Sequence, residues 1–451
     1  MQKLIILLLW LPISLTAQPL DQATYVNKYG QPYSSLNFQL DPGLEIEQND
    51  LVFWGYIHGS ETPQLVEYKI LEYLINHGFR YFMPEMGKAQ AYFLNEYLKS
   101  GHEELLYFAA YYQGMRTSQD ASVQLLQKWQ KLYALNQQLP PQQRITVLGA
   151  EGTLAPYDPS LAITWLAYHA PENTGDPMID SLQYFKNLDV LDLSIVSGKP
   201  VMEQARREKR PTYDYVYPSH SKYQFARRFI DYYLAHQSKV EEAFGVCGPE
   251  IHAILIREDL HREDIIYNNF KAEVLPLLQK GEKVCSVYGY AHIFQGPING
   301  FDYIASKIKQ GHPDIKTSSI LGVMARSSVL KYRKLRKSGD LTGPMGHTFQ
   351  QATYKGYSTS RSWDGDGLFE KLEGLPLVQK ATGKNELLML PLTQPGSPFH
   401  NGLNFVRYEK GGKRWRPDES LATTDYIQYL IYIQYSQANT PLEVWKLKAE
   451  E

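Results

Sequence analysis

The chain is short of cysteine, has no surplus of either charge and, past its first residues, has no long apolar run; each shortage removes a class of function. Cys247 and Cys285 are its two cysteines in 451 residues, and neither has the neighbours of a zinc motif. The two can pair in an oxidising compartment or stand as buried free thiols. Lys and Arg number 46 against 48 Asp and Glu, a formal net charge of -2, so there is no electrostatic footprint for nucleic acid or an anionic membrane. No stretch beyond the start is long and apolar enough to cross a bilayer, and there is no internal repeat. The 34 tyrosines are amphipathic rings suited to packing and by themselves select no ligand.

What is present begins at the N-terminus. Lys3 precedes the apolar run Leu4 to Leu11, and Leu15-Thr16-Ala17 supplies a small-residue cleavage site. Residues 1–17 therefore read as a signal peptide cut after Ala17, with an uncleaved anchor as the alternative, and the mature protein is expected to be exported, periplasmic or secreted, with no membrane span. Gln18 stands where a lipid anchor would need cysteine.

Residues 18–48 are polar and turn-rich and read as an N-terminal extension, followed by one α/β domain over 49–451. Leu51 to Trp54, Tyr81 to Met83, Ile145 to Leu148 and Val284 to Tyr288 read as buried strands, each closed by Gly or Pro. Helices alternate with them. Thr62-Pro63 opens one that Gly78 stops, Ala89 to Leu98 forms another, and Glu263 to Gln279 precedes the last of these strands. This rhythm predicts a mainly parallel or mixed sheet flanked by helices. Residues 155–250 show helical periodicity without strand signals and read as a helical insertion that would make a lid. After residue 340, Asn404 to Tyr408, Gly411-Gly412 and Lys413 to Trp415 predict a hairpin, and Tyr426 to Tyr435 a last long strand, so a C-terminal β-containing part completes the core.

Open α/β sheets bind ligands beyond the carboxyl ends of their strands. His58, three residues past Gly55, Glu85 after Pro84, Glu151 after Gly149-Ala150, and His292, three residues past Gly289, all fall there. Arg262 and Asn269, seven residues apart, lie along one face of the helix before the last of these strands. Arg262 can fork onto a substrate oxygen or hold Glu85 or Glu151 ionised. One reading makes His58 a general base on water, with Glu85 orienting it and His292 with Arg262 stabilising an oxyanion, while Glu151 and Asn269 contact substrate. The same set can place a divalent cation between His58, Glu85 and His292. Taken singly, each residue also fits an ordinary satisfied polar role.

Phe53-Trp54-Gly55-Tyr56-Ile57-His58-Gly59, then His77-Gly78-Phe79-Arg80 and Pro84-Glu85, resembles the opening of the erythromycin esterase-like proteins, and the Gly-x-x-His element resembles that of the TraB/GumN and TIKI group. Trp129 with Asn136, Val147 to Glu151, Arg262 with Ile266 and Asn269, Lys283 to His292, and the ending Tyr426 to Ile433 with Thr440-Pro441-Leu442 continue the likeness. With the ChaN haem-binding proteins these families look like one superfamily. The resemblance implies a hydrolase of an ester or amide in a small-molecule or peptide substrate, metal-dependent in the TIKI-like case; haem or metal binding without chemistry, and a pseudoenzyme, are the other readings. The sequence departs from the esterase pattern most at Gly55, which stands for a glutamate, at Glu67, near the place of an arginine, and at Gly289, which stands for the first histidine of the final motif; Glu151 stands where the family usually has aspartate, and Ile266 where its helix has methionine.

Overall fold

A strand buried on both faces needs an unbroken apolar run, and Leu51-Val52-Phe53-Trp54 is one; every residue of the strand Leu51–Tyr56 is buried. The computed structural model describes residues 19–116, 122–152, 158–188, 221–255, 261–329, 332–334, 341–343, 347–349, 375–403, 409–410, 413–414 and 417–440. The expected signal peptide, Asn404 to Tyr408, Gly411-Gly412 and Pro441-Leu442 lie outside them.

Eight strands make the main sheet: β1 (Gln31–Tyr33), β2 (Leu51–Tyr56), β3 (Tyr81–Pro84), β4 (Thr146–Val147), β5 (Val284–Gly289), β6 (Thr317–Ala325), β7 (Leu387–Pro391) and β8 (Tyr429–Gln434). Their spatial order is β1-β7-β8-β6-β2-β5-β3-β4. From β8 to β4 every neighbouring pair is parallel, while β7 runs antiparallel to β8 and to β1. This is the mixed α/β sheet the sequence implied. Side chains alternate across it: Val52, Trp54, Ile320 and Ile431 join the core on one face, Leu51, Phe53, Leu321 and Leu430 the core on the other.

The four strands expected before residue 300 are all present, with shifted ends. Three features differ. The segment before Leu51, read as an extension, contributes the helix Gln22–Tyr29 and the edge strand β1. Two strands escaped notice: β6, whose apolar run is broken by Gly322, and β7, whose Leu387-Leu388-Met389-Leu390 is built from residues of helical propensity. The last strand starts at Tyr429, because Thr423–Tyr426 forms a helical turn in front of it. The expected hairpin is seen as Glu409–Lys410 paired antiparallel with Lys413–Arg414.

Helices cover both faces. Glu61–Asn76 begins one residue before Thr62, at a Ser60 cap position, and packs Val66, Ile70, Leu71 and Leu74 into the core. Within 155–250 the described elements are helical, including Asp158–His169, Ser221–Ala235 and Gly248–Leu255. Arg262–Asn269 runs through a π-helical turn, Phe270–Val274, into Leu275–Gln279 before β5. Both cysteines are free thiols, Cys285 buried within β5 and Cys247 partly exposed, so the pairing is not made.

The end of β4 meets the start of the helix Lys88–Ser100 at backbone distance, since a Cβ on Gly149 would lie 2.4 Å from Gly87 C and O and 2.5 Å from Lys88 N. Glycine alone permits that approach, and a bridge between Gly87 and Glu151 follows it. Gly149→Ala should therefore cost on the order of 1–3 kcal/mol through forced backbone movement, read as a lower urea midpoint with an unchanged slope.

Candidate active site

Each candidate side chain is delivered by the turn that ends a strand. Past β2 the chain must reverse into the helix Glu61–Asn76, and Gly59, at φ 103, allows it where an L side chain would be strained. Loops after β6 and β8 hold this turn: Asn439 N–H donates to Gly59 O (2.9 Å), Ser60 Oγ donates to Ser328 O, and Thr62 N–H donates to Ser436 Oγ (3.0 Å). His58 is thereby fixed at the strand edge. Glu85 follows β3, and His292 rides on the 3₁₀ turn Tyr290–Ile293 that follows β5.

Arg262 joins them. Its Nε and Nη2 donate side-on to Glu151 Oε2 (3.0 Å) and Oε1 (2.6 Å), Nη2 also donates to Glu85 Oε1 (2.5 Å), and Nη1 donates to His292 Nε2 (3.2 Å). Burial works against the charged guanidinium, but the Coulombic pull of Glu151 and Glu85 outweighs it and raises the arginine pKa above its usual value. A guanidinium has five N–H groups and no acceptor. Four are engaged by these bonds, which leaves, among the described residues, one N–H on Nη1 of a side chain 32% exposed.

Since Arg262 only donates, His292 Nε2 accepts, and the ring proton sits on Nδ1, which lies 2.9 Å from Glu263 Oε1, an ion-pair distance without the alignment of a hydrogen bond. Glu263 is buried and its other oxygen accepts the Ile304 N–H (2.9 Å). Glu85 Oε2 accepts the Gly289 N–H (2.8 Å) and stands 3.7 Å from His58 Nε2, an ion-pair distance too long for a direct hydrogen bond.

His58, Glu85, Arg262 and His292 are thus brought together from far-apart parts of the chain. Glu151 and Asn269 are placed differently from the expectation that they touch substrate: Glu151 is buried with both oxygens on Arg262, and Asn269 donates to the Ala150 carbonyl (2.9 Å). Both support the site from beneath. His292 likewise accepts from Arg262 and in this arrangement has no proton to offer an oxyanion. Glu263 was missed, although its place beside Arg262 in the first helical turn was a usable signal.

The cation set His58, Glu85 and His292 does not fit a metal as arranged. The His292 Nε2 lone pair is taken by Arg262, its Nδ1 faces Glu263, and among the described residues no group of three or more His, Cys, Asp or Glu is placed to hold a metal ion.

The departures from the esterase pattern have structural counterparts. A Cβ on Gly55 would lie 2.5 Å from Ile293 Cγ1, so Ile293 fills the space of a larger residue. A Cβ on Gly289 would lie 3.4 Å from His58 Nε2 and 3.6 Å from Glu85 Oε2, an ordinary contact, so this glycine borders the site without closing it. Glu67 is buried and accepts from Lys128 Nζ (2.5 Å).

Comparison with protein-family models gives no match, and none is found among curated proteins. Three solved structures share the fold. A variant of the erythromycin esterase EreC in its open conformation is 12% identical, with a TM-score of 0.55 over 92% of this chain and 99% of that one. A Bacillus cereus protein is 13% identical at 0.54 over 94% and 98% of the two chains, and a protein described as a succinoglycan biosynthesis protein is 12% identical at 0.54 over 93% and 97%. The chain is therefore similar in fold to an erythromycin esterase along nearly its whole length.

Removing the guanidinium strips the shared partner from the buried Glu151 and the partly buried Glu85. Arg262→Met should destabilise the protein by about 3–5 kcal/mol, and adding Glu151→Gln should return part of that loss; additive effects in a denaturation double-mutant cycle would show that the fork is not coupled.

Proposed function

We propose that this protein hydrolyses an ester or amide bond with water activated by His58. The observation that carries the reading is the convergence of His58, Glu85, Arg262 and His292 at the carboxyl ends of β2, β3 and β5. Similarity in fold to an erythromycin esterase agrees with it. At 3.7 Å, His58 Nε2 and Glu85 Oε2 are spaced for one water to bond both. His58 takes a proton from that water as its oxygen attacks the carbonyl carbon, and Glu85 orients the attack. The remaining Nη1–H of Arg262 stabilises the oxyanion. The bond to the leaving group then breaks, and His58 returns the proton to it. His292 acts through Arg262: held by Glu263, it fixes the guanidinium and is a positioning residue.

The test is a panel of p-nitrophenyl esters and peptide anilides. His58→Ala should lower kcat/KM at least ~10²-fold on any substrate the native protein turns over, while circular dichroism stays native. Equal turnover by the variant, or no turnover of the panel by the native protein, overturns the reading. Because Arg262 holds the His292 lone pair, dialysis against a chelator should leave the rate unchanged; a loss that zinc restores would reassign His58 and Glu85 as ligands.

A further inference from the structure

The cleft beside His58 and Glu85 opens to solvent and is also lined by Tyr56, Gln64, Gln113 and Lys128. Hydrogen-bond direction can be assigned around it from the groups that have no choice. Lys128 only donates, so the buried Glu67 receives it at Oε1 (2.5 Å). Glu67 Oε2 accepts in turn from the Tyr56 hydroxyl (3.1 Å). With its proton committed there, the Tyr56 oxygen must accept the next bond, which is Gln64 Nε2 at 2.9 Å. That fixes the Gln64 carboxamide with Oε1 as the end of the chain. Gln64 is 2% exposed, and among the described residues Oε1 has no hydrogen-bond partner.

A second chain runs the other way. Gln90 Nε2 donates to the Ala109 carbonyl (2.8 Å), which can only accept, so its other hydrogen meets Gln113 at Oε1 (3.2 Å). Among the described residues no bond takes the Gln113 amide hydrogens, and Gln113 lines the cleft. An unsatisfied buried acceptor costs about 1–3 kcal/mol, so a ligand that supplies the donor gains it. Because the charge of Glu67 is balanced by Lys128, the lining nearby offers dipoles, not a net charge, to that ligand.

We propose that Gln64 is a specificity-determining residue of the cleft, accepting a hydrogen bond from an uncharged substrate that carries a hydroxyl, with Gln113 donating to an oxygen of the same group. The proposal rests on the reading of the cleft as a substrate site and is separable from catalysis. The probes are N-methylbutyramide and N-methyl-3-hydroxybutyramide, equal but for one hydroxyl, observed by saturation-transfer NMR on the full chain, its His58→Ala variant and its Gln64→Met variant. Expected is at least a threefold stronger signal for the hydroxylated probe on the native protein and on His58→Ala, falling to parity on Gln64→Met, which keeps side-chain length but removes the acceptor. Parity on the native protein, a preference that survives Gln64→Met, or no signal from either probe overturns the proposal. A preference lost in Gln64→Met beside an absence of ester and anilide turnover would uphold this binding role while removing the hydrolase.

Discussion

Arg262 is the constraint on which the site depends. One side chain from the start of a helix reaches the residues that follow β3, β4 and β5, through Glu85, Glu151 and His292. A buried carboxylate pair without it would have to neutralise or separate, and either change would release the turns that carry the reacting groups. The fork is specific in a way lysine could not copy, because the side-on bond to Glu151 uses two nitrogens in one plane while a third reaches His292. Burial makes the ion costly, and two carboxylates keep it charged all the same.

From that anchor the order of the site follows outward. Glu151 and Asn269 hold the floor, Glu263 orients His292, His292 steadies Nη1, and Glu85 passes the arrangement on to His58. The residues that touch substrate in this scheme are few, and those that place them are more numerous and more buried. Charge is unbalanced here, since Glu85 and Glu151 face one guanidinium and Glu263 lies beside the neighbouring His292. In the proposed scheme that excess works against an anionic substrate and agrees with an uncharged ester or amide.

Much of this was legible in the sequence because strand ends carry punctuation. Gly55, Pro84, Gly149 and Gly289 mark them, and His58, Glu85, Glu151 and His292 follow at short range. Direction of contact was not legible. That Arg262 gives four of its five hydrogens to Glu85, Glu151 and His292, with holding a carboxylate only one of the two roles its place allowed, is set by tertiary packing, which local spacing does not encode. The same holds for β7, where the residues favour a helix locally and the sheet imposes a strand between β1 and β8. The loops that fix His58 come from residues 327–328 and 436–439, more than 250 positions away, a separation no motif spans.

The three main departures from the esterase pattern are best understood together. At Gly55, where the esterase pattern has a glutamate, Ile293 fills the space a side chain would take. At Gly289 nothing replaces it, and the backbone N–H there serves Glu85 instead. At Glu67 the polarity is reversed: an arginine at that place would send hydrogens into its surroundings, whereas Glu67 draws in the Tyr56 proton, and the Tyr56 oxygen in turn accepts from Gln64 Nε2, leaving Gln64 Oε1 as the buried end of the chain. A cleft that would have offered donors offers an acceptor. Under the proposed reading, the strand-end edge supplies the reacting groups and this wall selects what reaches them.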